Sequence, residues 1–194
     1  MKSIILFASG RGSNVEAVLQ YFEQRPGLLH VALIVCNNPG AGVIDIAHAH
    51  HIPLLMLSRE SMRQDDWINE VAAYRPDLIV LAGFLRKIPE QLVRQFENRI
   101  INIHPALLPA YGGKGMYGMK VHQAVMASGE KESGITIHYV NEHYDEGNII
   151  LQARCRINAG DTPELLAEKI HCLEHFYFPR TIEFLLQATQ DNQH

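Results

Sequence analysis

Five short apolar runs recur within the first 104 residues, at 3–9, 31–37, 53–58, 77–83 and 99–104. "SIILFAS", "VALIVCN" and "DLIVLAG" show no alternation of apolar with polar positions. Continuous runs of this length suit strands covered on both faces. Between them, 14–24, 41–51, 60–74 and 89–96 carry apolar residues at helical spacing. Strand and helix in alternation predict parallel crossover units and an open α/β sheet.

After residue 130 the pattern changes. "SGITIHYV" (133–140) alternates Ile135, Ile137 and Tyr139 against Thr136, His138 and Val140, and "NIILQARCRI" (148–157) is a second strand close behind. Two strands with a short connection predict an antiparallel pair at or near a sheet edge. A long helix is predicted over 161–188, with Thr162 as its cap and Pro163 at its first position. Pro179 is expected to kink or divide it, and the tail 189–194 to fray.

Composition narrows the field. The 194 residues suit one domain, 1–194, and 47% hydrophobic content with 20% charged residues suits a sizeable core. A net charge of −4 argues against nucleic-acid binding across the whole surface. Three scattered cysteines without a CxxC spacing favour a reducing cytosol over a disulfide framework. "MKSIILFAS" runs straight into "GRGSN", which suits a first strand better than a signal peptide. No apolar run reaches the 18 residues of a membrane span. A cytoplasmic protein is expected.

The turn "FASGRGSN" (7–14) joins the first strand to the first helix. Gly10 and Gly12 permit close backbone approach, and Ser13 and Asn14 offer donors at a helix N-terminus, which together suit a phosphate. The same residues also serve a plain turn with Ser13 as helix cap. Val15 stands where a dinucleotide fingerprint needs a third small residue, and the P-loop Gly-Lys-Ser/Thr is absent. A side chain at Gly12 is expected to obstruct the phosphate and leave the fold intact.

A second constellation lies in "RIINIHPALLPAYGGKGMYG" (99–118). Asn102 and His104 sit at the carboxyl end of a predicted strand, where open α/β sheets bind ligands. Two apart on a strand, they share a face. An amide and an imidazole there suit a reaction that develops an oxyanion and moves a proton. Such a histidine calls for an acid, and the turn "NEHYDEGNII" offers Glu142, Asp145 and Glu146 without choosing among them. Pro105 and Pro109 predict an extended loop after the strand. Metal readings through His138, His143 and Asp145, or through "HAHH" (48–51), lack a recurrent ligand spacing, so no metal is expected. No serine or cysteine sits in a nucleophile elbow.

These motifs bear a resemblance. "GRGSN", "DLIVLAGFLRKIP", "INIHPALLPAYGGKG", "HYVNEHYDEGNIILQA" and "LEHFYFP" occur in the order found in the folate-dependent phosphoribosylglycinamide formyltransferases. The resemblance covers nearly the whole chain, and Asn-x-His-Pro-x-Leu-Leu-Pro is its most specific part. It implies a mostly parallel, Rossmann-like sheet. It also implies formyl transfer from 10-formyltetrahydrofolate to the amine of glycinamide ribonucleotide, in purine biosynthesis. By it, Asn102, His104 and Asp145 fall on the catalytic trio, and Gly12, Ser13 and Asn14 on the loop holding the ribose phosphate. Leu85, Arg86, Lys87 and Ile88 fall on the folate-pocket segment, residues from Asn141 to Asp145 on the folate loop, and Arg59 on an arginine near the folate. Glu174, by itself a plain helix charge, falls on the acid contacting the glycinamide end. Asp145 would then raise the pKa of His104. The family's commoner Pro-Gly and His-rich turn is replaced here by "GGKGMYGMKVH".

The implied partners are small molecules, with no nucleic acid and no membrane, acting on a monomer or homodimer. The rivals differ in what they need. Methionyl-tRNA formyltransferase needs an RNA-binding domain that this length does not accommodate. Formyltetrahydrofolate deformylase needs an N-terminal domain, whereas this chain starts on its first strand. A formyltransferase for an amino-sugar nucleotide is the nearest alternative. A non-catalytic nucleotide-binding module would leave Asn102, His104 and Asp145 without a reason to converge.

Overall fold

The computed structural model describes residues 1–64 and 66–191. Seven strands form one sheet among the described residues: β1 (Lys2–Ala8), β2 (Leu29–Cys36), β3 (Leu54–Met56), β4 (Leu78–Leu81), β5 (Ile100–His104), β6 (Glu132–Tyr139) and β7 (Ile149–Arg156). Their spatial order is β3-β2-β1-β4-β5-β6-β7. The first five pair in parallel, and β6 and β7 are antiparallel at the edge, as the change of pattern predicts.

Helices cover both faces. On one side α1 (Ser13–Glu23), α2 (Val43–Ala49), α5 (Met119–Ala127) and α6 (Pro163–Asp191) bury Val15, Val18, Val121, Ile170 and Phe178 against Ile4, Leu6, Ile101 and Ile137. On the other, α3 (Asp66–Ala73) and α4 (Glu90–Gln95) bury Trp67, Ile68 and Leu92 against Ile5, Phe7 and Ile79. Each β1 residue from Ile4 to Ala8 is buried, which explains its unbroken apolar run.

The structure departs from the sequence expectations in three places. The single helix expected over 60–74 is divided. A 3-10 turn (Ser61–Arg63) forms first, with the Ser58 hydroxyl accepting the N–H groups of Glu60 and Ser61 at 3.2 and 3.0 Å. Gln64 is then extended (φ −108°, ψ 137°), which stops the turn before α3. Helix α5 was not foreseen. Conversely, α6 runs unbroken past Pro179 to Asp191, so the proline does not divide it. Thr162 caps it as expected, its Oγ1 accepting the Leu165 N–H at 3.3 Å. Of the tail expected to fray, 192–194 lie outside the described residues. Among the described residues no helix is long and apolar enough to cross a membrane.

Candidate active site

Asn102 and His104 project from the same face of β5, and β6 brings His138 directly opposite Asn102. Asp145 arrives from the loop between β6 and β7. Its Oδ2 lies 3.7 Å from His104 Nδ1, and its Oδ1 lies 3.6 Å from His138 Nε2 and 3.5 Å from Asn102 Nδ2. Of the three carboxylates in that turn, Asp145 faces the imidazole. Glu142 pairs instead with Arg94 at 3.2 Å, and Glu146 is exposed.

The surrounding backbone fixes which atoms are available. His104 Nε2 lies 2.7 Å from the Tyr111 carbonyl. A carbonyl only accepts, so Nε2 carries the proton and Nδ1 is the nitrogen turned to Asp145. His138 Nδ1 likewise donates to the Tyr139 carbonyl at 2.9 Å, leaving its Nε2 to accept from Asn102 Nδ2 at 3.1 Å. Gly113 N–H donates to Asp145 Oδ2 at 2.8 Å. Tyr111 and Asp145 both sit at positive φ, 58° and 57°. Strain of this kind clusters where a site must be held in one arrangement.

The loop after β5 is pinned from below. Buried Thr136 accepts the Leu108 N–H at 2.9 Å and donates to the Ala106 carbonyl at 2.7 Å, and Gln152 donates to the Leu108 carbonyl at 2.9 Å. Gly134 is required beneath it, since a Cβ there would meet the Ala153 carbonyl oxygen at 2.0 Å and Leu107 Cδ2 at 2.6 Å.

Burial overturns one electrostatic expectation. His104 is only 4% exposed, and desolvation pulls its pKa below the ordinary histidine value. Asp145 and the Tyr111 carbonyl pull it upward, as expected of a partner acid, but by less. His104 is therefore neutral at neutral pH in the free protein. Asp145 is held below the usual carboxylate range: burial opposes this, but contacts with His138 and His104 and the Gly113 N–H prevail.

A cleft of about 640 Å³ opens beside the trio. Gly12, Ser13 and Asn14 line one wall, Leu85 and Arg86 another, and Glu174 and His122 border it too, together with residues of the 113–118 loop. Glu174 is 6% exposed, accepts from Asn14 Nδ2 at 3.1 Å, and is pushed up to about 7 by burial. Its reading as a plain helix charge does not hold. Lys87, Ile88 and Asn141 line a smaller recess that also touches Asn102 and Asp145. Arg59 lies in a separate groove, which shares Leu85 and Arg86 with the cleft. His48, His50 and His51 are exposed at the end of α2.

Gly12 caps α1 at φ 86°, but a Cβ there would point away from the cleft, to 2.7 Å from Ile46 Cδ1 and 3.0 Å from Val43 Cβ. A side chain at this position therefore disturbs the packing of α2, contrary to the intact fold expected from sequence. The sequence reading also missed His138 as a neighbour of Asn102, and His122. Alternation along β6 carried a signal for the first, since Thr136 and His138 share a face. His122 is buried on a helix that sequence did not resolve, is brought to about 4 by burial, and has no partner for Nδ1.

The chain is similar to known proteins over most of its length. A protein named chloroplastic phosphoribosylglycinamide formyltransferase, from Arabidopsis thaliana, is 41% identical over 90% of this chain, which spans 62% of that protein's length. The phosphoribosylglycinamide formyltransferase of Bacillus subtilis is 40% identical, covering 96% of this chain and 95% of its own. The crystal structure of the Bacillus halodurans phosphoribosylglycinamide formyltransferase superposes with a TM-score of 0.87 at 35% identity, over 95% of each chain. The formyl transferase family profile matches residues 2–182, and the chain belongs to that family.

Proposed function

We propose that residues 1–194 act as one formyltransferase domain in the cytosol, moving a formyl group from 10-formyltetrahydrofolate to the amine of 5'-phosphoribosylglycinamide in purine biosynthesis. The observation that carries this reading is the convergence of Asn102, His104 and Asp145 where the cleft meets the smaller recess. The folate lies along Leu85, Arg86, Lys87, Ile88 and Asn141, in the recess and the part of the cleft that adjoins it. The cleft takes the acceptor, its phosphate at Gly12, Ser13 and Asn14 and its glycinamide end toward Glu174.

The amine attacks the formyl carbon, a C–N bond forms, and the carbonyl oxygen becomes an oxyanion. Asn102 Nδ2 donates to it. Its 3.1 Å bond to His138 holds the amide in place, while its 3.5 Å contact with Asp145 is long enough to yield. Neutral His104 takes the amine proton on Nδ1 as attack proceeds, and Asp145 stabilises the imidazolium across the 3.7 Å gap. The proton then passes to the folate nitrogen as its bond to the formyl carbon breaks. A base with a lowered pKa suits this first step.

The test is to incubate the chain with 10-formyltetrahydrofolate and glycinamide ribonucleotide and follow folate absorbance. Turnover is expected. Turnover with an amino-sugar nucleotide and none with the ribonucleotide would reassign the acceptor.

A further inference from the structure

Ser9 is 5% exposed and takes no part in the reaction above, yet four hydrogen bonds meet on it. Its N–H donates to the Gly83 carbonyl at 3.1 Å, and its own carbonyl accepts from Asn38 Nδ2 at 3.1 Å. Its hydroxyl donates to Asn37 Oδ1 at 2.5 Å and accepts the Leu85 N–H at 2.9 Å. The amide oxygen of Asn37 has only lone pairs to offer, so it takes the hydroxyl proton and leaves the Ser9 lone pairs for Leu85. One side chain thus ties the end of β1 to the segments that follow β2 and β4.

The segment after β4 has no regular structure. Phe84 and Ile88 are buried and anchor it, while Leu85, Arg86 and Lys87 between them are exposed toward the binding spaces. Leu85 and Arg86 wall the cleft, and Lys87 and Ile88 wall the recess beside Asn102 and Asp145. The Leu85 N–H lies in the middle of this span, and Ser9 holds it.

We propose that Ser9, oriented by Asn37, is a positioning residue for the formyl donor: through the Leu85 N–H it fixes the 83–88 wall against which the folate lies. The role rests on the formyltransferase reading above, but the hydrogen bond itself does not. Without the hydroxyl, the Leu85 N–H loses its acceptor and the wall shifts to find another.

The test combines amide hydrogen exchange at Leu85 with calorimetric binding of a stable folate, 10-formyl-5,8-dideazafolate, and steady-state kinetics. Ser9→Ala should speed Leu85 exchange and weaken donor binding about fivefold, the worth of one net hydrogen bond. The acceptor KM and kcat should stay within about twofold. Asn37→Asp retains an acceptor for the hydroxyl proton and should keep donor affinity. Asn37→Leu frees the hydroxyl and should move both readouts the same way as Ser9→Ala, which keeps the test open if Ser9→Ala folds poorly. Unchanged Leu85 exchange in Ser9→Ala overturns the strut whatever the reaction. Faster exchange with unchanged donor affinity, or equal loss of donor and acceptor affinity, overturns the positioning role. Donor binding without transfer to the ribonucleotide would sink only the acceptor assignment, whereas no donor binding by the wild-type chain would overturn both readings.

Discussion

Glu174→Gln should stabilise the protein, and the gain should depend on pH. The carboxyl is 6% exposed, with one hydrogen bond from Asn14 Nδ2 against the burial cost, and burial pushes it from 4.5 to about 7. A carboxyl raised in the folded state contributes stability that is present below 4.5 and lost as pH rises through about 7. At pH 4 both folded and unfolded chains hold the proton, so wild type and variant should differ little. At pH 8 the unfolded chain ionises freely, while the folded one keeps a charge poorly solvated. The difference between 4.5 and about 7 corresponds to about 3 kcal/mol at 1.36 kcal/mol per tenfold. Glutamine keeps the shape and the Asn14 contact and removes the charge. For a chain of this size, about 3 kcal/mol is a rise in Tm of roughly 6–12 °C at pH 8. Thermal unfolding of both proteins from pH 4 to 8 measures it. A difference that stays constant with pH, or a loss at pH 8, would refute the claim that Glu174 is buried with its charge poorly compensated.

Asp145→Asn should lower kcat about 10²–10³-fold with little change in either KM, and His104 should titrate still lower by NMR, because burial then acts with less opposition. The His104→Asn, Asp145→Asn double variant should lose little more than either single one, since the pair acts as a unit; multiplied losses would separate them. Gly12→Ala should destabilise by about 1–3 kcal/mol, because φ is 86° and Ile46 lies in the way, so melting temperature should fall alongside acceptor affinity. His122, lowered from 6.5 to about 4, is neutral in both states above 6.5, and the unfolded chain takes the proton first as pH falls. Stability should therefore drop between pH 6.5 and 4 by up to about 3 kcal/mol, and His122→Leu should flatten that part of a urea-unfolding profile.

The buried strands were the most legible part of the fold, because two-sided burial leaves a direct trace in an apolar run. The runs 3–9 and 99–104 fall within one residue of β1 and β5 at each end. Helix α5 left a weaker trace. Its buried positions are Val121, His122 and Val125, and a histidine in the stripe breaks the apolar period. Glu174 shows the reverse error. Leu166, Ile170, Phe178, Ile182 and Leu186 are buried at spacings of four or eight along α6, and Glu174 stands midway between Ile170 and Phe178. A carboxylate in a buried stripe is rarely accidental, so its position carried more information than its residue type. Arg59 was beyond such reasoning. Whether it faces the cleft or the adjoining groove depends on how the 3-10 turn folds beside β3, and no periodicity records that.

The acid of the trio depends on a reversal that strand logic alone would not supply. Strand β6 runs antiparallel to β5, with Thr136 opposite His104 and Tyr139 opposite Ile101. Its last residues therefore lie at the opposite end of β5 from the ligand edge, and a loop continuing outward would carry Asp145 away from His104. Instead the loop folds back. The Tyr139 N–H donates to the Asn148 carbonyl at 2.9 Å, and Gly147 lies so close to the Tyr139 carbonyl that a Cβ would sit 1.7 Å from its oxygen. Asp145 then takes φ 57°, and its carboxylate returns over the face of β5 to meet the Gly113 N–H. Few side chains tolerate that φ, and Asn and Asp are among them. This makes asparagine the informative replacement, since it removes the charge without disturbing the turn. Asp145→Ala would strain the backbone as well as remove the carboxylate, so the two variants should part in stability even if their kcat losses agree.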